Sequence, residues 1–402
     1  MKISGIICEY NPFHNGHLYH IEQTRKHGAT HIVAIMSGNF VQRGDVALIN
    51  KFERAKTAVR CGADLVIELP VAYCLSPAEV YARGAMYVLK GLGCVNELSF
   101  GSECGDLGLL SQAVKAAYLC AKKPELEELM RRGTSYPKAL QILIRQTYGD
   151  TIGGLFSSPN NVLAIEYLKA MIAVKLKIEP FTVKRNEPHD AQLPVGNIAS
   201  ASLIRQLMNS SSDEFDELVP EVSAEALSAC AAAGTTARFE NLERALLYRL
   251  RTATAEEIAG LPEIGQGLEN KILAASRETS LESLLFAIKS KRYPMARIRR
   301  ILLNLMIGVK PKHTELPPPY GRVLALNERG REILGAAKQA GTTLPYATSL
   351  AKLSELGGMC KVYADLEARA TAVYGLAQRT IAPADADYKA MIGLIKMEPE
   401  VN

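Results

Sequence analysis

Two histidines, His14 and His17, stand three positions apart with Gly16 between them in the segment Cys8-Glu9-Tyr10-Asn11-Pro12-Phe13-His14-Asn15-Gly16-His17. An apolar, strand-like run at 3–8 precedes the segment and a helical pattern follows it. It is therefore predicted to be a strand–loop–helix junction, where backbone N–H groups and the positive end of a helix dipole receive an anion. Histidines at this spacing in the first turn of a helix point to one side. Imidazole donors aimed at a phosphorus stabilise charge that grows on its oxygens only in the transition state. Gly16 permits a close backbone approach, and Pro12 stiffens the loop. An isolated H-x-G-H run more often marks exposed loop residues; the junction makes this one a candidate for chemistry at phosphorus.

Other chemistries are poorly represented. No convincing Ser/His/Asp or Cys/His arrangement offers a nucleophile with its base. Neither a Walker A lysine nor a G-x-G-x-x-G motif appears where one is needed, which disfavours a P-loop kinase or a dinucleotide oxidoreductase. The eight cysteines are scattered, without a C-x-x-C pair or a zinc-spaced Cys/His cluster. No protein-held metal and no disulfide framework is expected, and a metal is expected only as Mg²⁺ carried by a nucleotide. Small apolar cysteines fit a reducing compartment. With no basic leader and no apolar run near the roughly 18 to 20 residues that cross a bilayer, a cytoplasmic location without a membrane partner is expected.

The elements that must position these residues follow from the hydrophobic pattern. Strands are predicted at 3–8, 31–36, 64–69, 97–100 and 181–184, alternating with helical segments at 17–26, 51–60, 78–89, 109–121 and 161–176 and followed by one at 202–208. Such alternation predicts βαβ units in a parallel, doubly wound α/β sheet, with ligands beyond the carboxyl ends of the strands. At 402 residues, with 48% hydrophobic and 22% charged residues, a soluble globular chain of two or three domains is expected. The reading divides it into 1–210, a mainly helical 211–315 rich in Ala, Leu and Glu, and a small mixed α/β region at 316–402 that opens on Pro317-Pro-Pro-Tyr320 and a strand at 323–326.

The formal charge of +5 belongs to residues 1–210, because residues 211–402 are balanced. Within that balanced half, Lys289, Lys291, Arg292, Arg297, Arg299, Arg300, Lys310 and Lys312 occur with no acidic residue from Ser283 to Thr314. Such a run is a candidate contact for a phosphate backbone, and a solvated helix face has the same composition. The Gly-rich stretch 258–272 fits either a helix-hairpin-helix that faces a phosphate or a helix–helix turn with glycine caps.

The opening G-I-I-C-E-Y-N-P-F-H-N-G-H resembles the H-x-G-H nucleotidyltransferase superfamily. "MSGNFVQRG" (36–44), "CGADLVIELP" (61–70), "FGSE" (100–103) and "SPNN" (158–161) resemble the bacterial tRNA(Met) cytidine acetate ligases, along most of the chain. The resemblance implies a HUP/Rossmann-like nucleotidyltransferase domain and a two-step reaction. Acetate attacks the α-phosphate of ATP to give acetyl-adenylate and pyrophosphate; the exocyclic amine of the wobble cytidine of elongator tRNA(Met) then takes the acetyl group. It implies that Ile7, Cys8, Glu9, Tyr10, Asn11, Pro12, Phe13, His14, Asn15, Gly16, His17, Leu18, Tyr19 and His20 wrap ATP, with His14 and His17 catalytic. Gly101 would pass under the adenosine, or be a plain turn glycine. Asn160 or Asn161 would contact the nucleotide, or cap a helix. Arg185 would bridge phosphates, or pair with Asp190. Ser200-Ala-Ser202-Leu-Ile-Arg205 resembles a helix start in which Ser202 and Arg205 take the terminal phosphates. Gln42 and Arg43 are candidates for substrate or tRNA, and His189 and Asp190 for substrate contact. Lys289, Lys291, Arg292, Arg297, Arg299 and Arg300 are the expected RNA contacts. The competing readings are an adenylyltransferase acting on a small metabolite and a non-catalytic RNA-binding protein. The basic run speaks against the first, and the phosphate-directed histidines against the second.

Overall fold

A computed structural model describes residues 1–185, 196–210, 213–390, 392 and 394–396; His189 and Asp190 lie outside the described residues. Strands β1 (Ile3–Cys8), β2 (His31–Ser37), β5 (Leu65–Leu69), β6 (Glu97–Ser102), β7 (Glu179–Lys184), β8 (Gly321–Leu326) and β9 (Tyr346–Ala347) form one sheet, while β3 (Phe40–Val41) and β4 (Asp45–Val46) form a small hairpin. The sheet order is β7-β6-β1-β2-β5-β8-β9, parallel except where β8 runs antiparallel to β5. β1, β2 and β5 are buried at every position, as expected of strands covered by helices on both faces. Alternate residues feed opposite cores: Ile7, Ile35 and Ile67 enter one cluster, Ile6, Ala34 and Val66 the other.

The chain moves from β1 to β2 and β5 on one side, then returns to β6 and β7 on the other. The strand order thus reverses beside β1, and the carboxyl ends of β1 and β6 flank the crevice where ligands bind in such sheets. Residues 316–390 return to this sheet: β8 pairs with β5, Leu326 opposite Leu65, and β9 follows at the edge.

The intervening region is helical, including Glu243–Thr252, Leu281–Ile288 and Met295–Ile307. Its core (Leu246, Ile258, Leu284, Ile301) also takes Phe40 and Val46 from the hairpin and Tyr374 from the Gly358–Ala377 helix. Gly44, with φ +73°, lets the hairpin turn lie against the Met295–Ile307 helix; a Cβ there would stand 2.7 Å from the Arg300 nitrogen. Buried charges join the remote ends of the chain. Lys51 Nζ donates to Glu68 at 2.7 Å and to Asp387 at 2.9 Å, and Arg322 pairs with Asp387. Removing one partner from such a set costs about 3–5 kcal/mol, because it strands a buried charge.

Candidate active site

The loop after β1 ends on His14, which caps the helix α1 (Asn15–Lys26) from an extended conformation. The His14 Nδ1 accepts the Gly16 N–H at 3.1 Å, and the His17 Nδ1 accepts the His14 N–H at 3.3 Å. The two rings stack with centroids 3.7 Å apart and planes 29° from parallel. A ring nitrogen that accepts an N–H carries no proton, so this reciprocal capping places the proton of each neutral imidazole on Nε2. Helix-start geometry therefore turns both rings into donors. Gly16 has a specific cause: a Cβ would stand 2.9 Å from His14 Cε1 and 3.1 Å from its Nδ1.

Arg54, which sequence reasoning missed, fastens the loop from beneath. Its Nε donates to the Ile49 carbonyl at 3.1 Å, and its terminal nitrogens donate to the carbonyls of Glu9 and Gly38. One buried guanidinium thereby holds the exits of β1 and β2 and the approach to the Lys51–Arg60 helix. Nothing in a lone arginine on an amphipathic helix signals this.

A cavity of about 650 Å³ opens at the carboxyl ends of β1 and β6, within the range of small-molecule sites. Of the expected ATP loop, Ile7, Cys8, Glu9, Tyr10, Asn11, His14, His17 and His20 line it. The rest of that loop does not. Phe13 is buried behind the site, its ring 4.7 Å from Tyr10 and 5.5 Å from His17. Asn15 donates away from the cavity, to the carbonyls of Asn197 at 2.8 Å and Glu217 at 2.9 Å. Pro12, Gly16, Leu18 and Tyr19 act from outside the lining, Leu18 packing under α1 and Tyr19 reaching solvent.

Gly101, Arg185, Ser202 and Arg205 join the lining from β6, the end of β7 and the Ala201–Asn209 helix. Gly101 lies under the Arg185 side chain, and a Cβ would approach its Cδ to 3.1 Å. Ser200, not Ser202, caps the Ala201–Asn209 helix by accepting the Leu203 N–H at 3.2 Å, which leaves the Ser202 hydroxyl on the cavity side. Arg205 donates to the Asn11 carbonyl at 2.6 Å. Asn160 lines the cavity; Asn161 is turned inward, its Oδ1 accepting the Cys104 N–H at 3.1 Å. Glu103 does the capping there, accepting from the backbone nitrogens of Asn160 at 3.0 Å and Asn161 at 2.6 Å.

Apolar walls come from Tyr81, Phe100, Phe156, Leu163 and Tyr167. Sequence reasoning missed them, because a residue facing a cleft and one facing the core share the same helical period. Ser157 and Ser158 are also in the lining; Ser158 opens the SPNN motif and Ser157 precedes it, so both were within reach of the sequence. Burial holds the Glu9 carboxyl above its usual range, against the Gln42 N–H and the charges of Arg43, Arg205 and Arg54. Burial, then the nearby Arg185, pushes His20 down to about 4, so at neutral pH its ring is uncharged; its Nε2 lies 2.8 Å from Ser99 Oγ.

The basic run divides into three. Lys289, Lys291, Lys310 and Lys312 are exposed, and Arg292 is half-buried. Arg297 gives its Nε and Nη2 to the Glu263 carbonyl at 3.0 and 2.6 Å. Arg299 reaches the cavity rim, 3.3 Å from Asp45 and over the Phe239 ring. Arg300 corrects the expectation of an RNA contact: it is buried, with both arms on the Glu263 carboxylate at 2.6 Å and Nη1 on the Gln42 carbonyl at 3.1 Å. The Gly-rich stretch 258–272 forms a turn between the Ala255–Ala259 and Leu268–Ala275 helices, with Glu263 and Gln266 both at φ +61°. Its Glu263 and Gln266 carbonyls are taken by Arg297 and Tyr293. Gln42 is equally committed, donating its N–H to Glu9 at 2.8 Å and its amide to the Ser76 carbonyl at 3.2 Å.

Among the described residues, no group of three or more His, Cys, Asp or Glu side chains is disposed to hold a metal ion, and no helix is long and apolar enough to cross a membrane.

The model of the HIGH nucleotidyl transferase family matches residues 1–389. A tRNA(Met) cytidine acetate ligase of Alkaliphilus metalliredigens is 38% identical over 94% of this chain and 94% of its own length. One of Acetivibrio thermocellus is 37% identical over 93% and 94%. Among solved structures, Thermotoga maritima TmcAL in an apo form superposes with a TM-score of 0.91 at 30% identity, covering 99% of this chain and 100% of that one. The same protein bound with alpha-thio ATP gives 0.90 at 30% identity, with the same coverage. The chain belongs to the HIGH nucleotidyl transferase family and, within it, to the tRNA(Met) cytidine acetate ligases.

Proposed function

We propose that the protein activates acetate with ATP and transfers the acetyl group to the exocyclic amine of the wobble cytidine of elongator tRNA(Met), forming N-acetylcytidine. The observation that carries this reading is the reciprocal capping of His14 and His17, which fixes two Nε2–H donors at the head of α1 beside the cavity. In the first step an acetate oxygen attacks the α-phosphorus and the bond to the β-phosphate oxygen breaks, releasing pyrophosphate. The imidazole donors meet the α-phosphate oxygens as their charge rises. Ser202, the amino end of the Ala201–Asn209 helix and Arg205 hold the departing pyrophosphate, with Arg185 across the nucleotide. Mg²⁺ carried on the nucleotide would supply neutralisation of phosphate charge. In the second step the cytidine amine attacks the acetyl carbon and AMP leaves.

No covalent enzyme intermediate is required, since the mixed anhydride already has a good leaving group. The relatives' names support tRNA as the acceptor. Exposed Lys289, Lys291, Lys310 and Lys312 on 211–315 supply counter-charge to its backbone. The base must be splayed out of its stack to reach the cavity, where Arg299 brings the helical region to the rim. Cytoplasmic residence is part of the proposal, as is the division of labour between 1–210 for ATP, 211–315 for RNA and 316–402, which completes the sheet.

The test is acetate-dependent ATP–pyrophosphate exchange and nucleoside analysis of tRNA(Met), in the wild type, His14→Ala and His17→Ala. Acetylcytidine that needs both ATP and acetate, with losses of about 10²–10³-fold in each variant, supports the ligase. AMP formation without modified tRNA would replace it with an adenylyltransferase acting on a small acid.

A further inference from the structure

Acylation of an amine releases a proton, and the two histidines cannot take it, because their Nδ1 atoms already accept backbone N–H groups and their Nε2 atoms carry the protons. The other polar groups of the cavity sort in the same way. Asp45 has Oδ1 on its neighbour's N–H at 2.9 Å and Oδ2 on Arg299 at 3.3 Å. His20 is a weak base, its conjugate acid pushed down to about 4 by burial and by Arg185. Arginines donate only.

Glu9 differs. Its Oε1 is pinned by the Gln42 N–H at 2.8 Å, and no hydrogen bond from a described residue engages Oε2. The residue lines the cavity. The groups facing it are the cations Arg43, Arg54 and Arg205 and the uncharged Cys8, Tyr81 and Tyr167, the last three themselves shifted up by burial. The carboxylate is therefore oriented by one oxygen, open by the other, and anchored to the hairpin loop on which Arg299 docks rather than to the histidine-bearing helix. Acceptance from the cytosine amine is the natural pairing of a carboxylate with this base.

Resting on the acetyl-transfer reading above, we infer that Glu9 is the catalytic base of the second step: its Oε2 accepts a hydrogen bond from the exocyclic amine of the inserted cytosine and takes the proton that this amine loses. As the N–C bond to the acetyl group forms, the acetyl C–O bond to AMP breaks, the proton moves to Glu9, and AMP departs with the electron pair. The proton then passes to solvent. Burial, which holds this carboxyl above its usual range, raises its strength as a base, since catalytic efficiency grows as the pKa approaches the working pH.

Glu9→Gln keeps an oxygen for the Gln42 N–H and removes the proton acceptor together with the negative charge that faces Arg43, Arg54 and Arg205. The two half-reactions are followed separately: acetate-dependent ATP–pyrophosphate exchange, and single-turnover transfer from preformed acetyl-adenylate to tRNA(Met) across pH 4–8. The expected result is transfer slower by about 10²–10⁴-fold, a loss at least tenfold larger than any loss the variant shows in exchange. The wild-type transfer rate falls as pH drops through a value above the ordinary carboxylate range, and this limb is absent in Glu9→Gln. Equal losses in both half-reactions would assign Glu9 to nucleotide binding and overturn the inference. Near-wild-type transfer by the variant, with a wild type that makes acetylcytidine, would overturn it while leaving the ligase reading intact. A wild type that exchanges pyrophosphate but makes no acetylcytidine would remove both.

Discussion

Replacing Gly16 with alanine separates two explanations for the glycine of the H-x-G-H motif. One is that the nucleotide must approach the backbone closely; the other is that the His14 ring occupies the space where a Cβ would be. The new Cβ would stand 2.9 Å from His14 Cε1, 3.1 Å from Nδ1 and 3.3 Å from Ile198 Cγ2. The ring cannot swing aside cheaply, because its Nδ1 accepts the Gly16 N–H and its face stacks on His17. Overpacking of this kind costs about 1–3 kcal/mol, and losing the bond about 1 kcal/mol more. Gly16 sits in the first turn of α1 with no positive φ, so alanine returns about 1 kcal/mol of helix preference. The net expectation is a loss of about 1–3 kcal/mol in the wild-type background. In a His14→Ala background the clash and the bond are both absent, and the same substitution should be neutral or stabilise by up to about 1 kcal/mol. The coupling energy from denaturant unfolding of the four proteins should therefore be about 1–4 kcal/mol, above the roughly 0.3–0.5 kcal/mol of ordinary non-additivity. ATP–pyrophosphate exchange by Gly16→Ala should fall about 10²-fold, the scale for displacing a reacting group by about 1 Å. A penalty of the same size with and without His14 would refute this reasoning and return the glycine to the nucleotide.

Three further results are expected. Lys291→Ala should lower the slope of log affinity for tRNA against log salt by about one, measured by filter binding at several salt concentrations. Arg300→Ala should leave the slope unchanged but cost about 3–5 kcal/mol in urea unfolding, because it strands the Glu263 carboxylate. Stability should also fall with pH through His20. Its folded pKa of about 4 lies below the unfolded value of about 6.5, so between them the unfolded chain binds more protons and stability drains away as pH falls from about 6.5 to 4. That contribution is at most about 3 kcal/mol, and His20→Gln should remove it from the pH dependence of unfolding.

What the sequence determined is what short-range periodicity and local chemistry encode. The H-x-G-H segment is a strand-to-helix junction because an apolar run, a turn and an amphipathic run follow one another within about 25 residues. The same local signals located the parallel strands and put Gly101 and Arg185 directly after two of them, whereas Ser202 and Arg205 were singled out by the family resemblance. Tertiary structure decided matters that depend on residues far apart in the chain. It turned Asn160 to the cavity and Asn161 to Cys104, although both stand in the first turn of one helix. It set β8 antiparallel beside β5, since an apolar strand carries no mark of its partner or direction. It divided one basic run between solvent, cavity rim and a buried pair with Glu263. Charge count alone could not do this, because whether an arginine meets phosphate or carboxylate depends on which acid the fold brings to it. The two histidines show the boundary most plainly: their place was written in the sequence, but the proton positions that make them donors come from backbone geometry at the helix start.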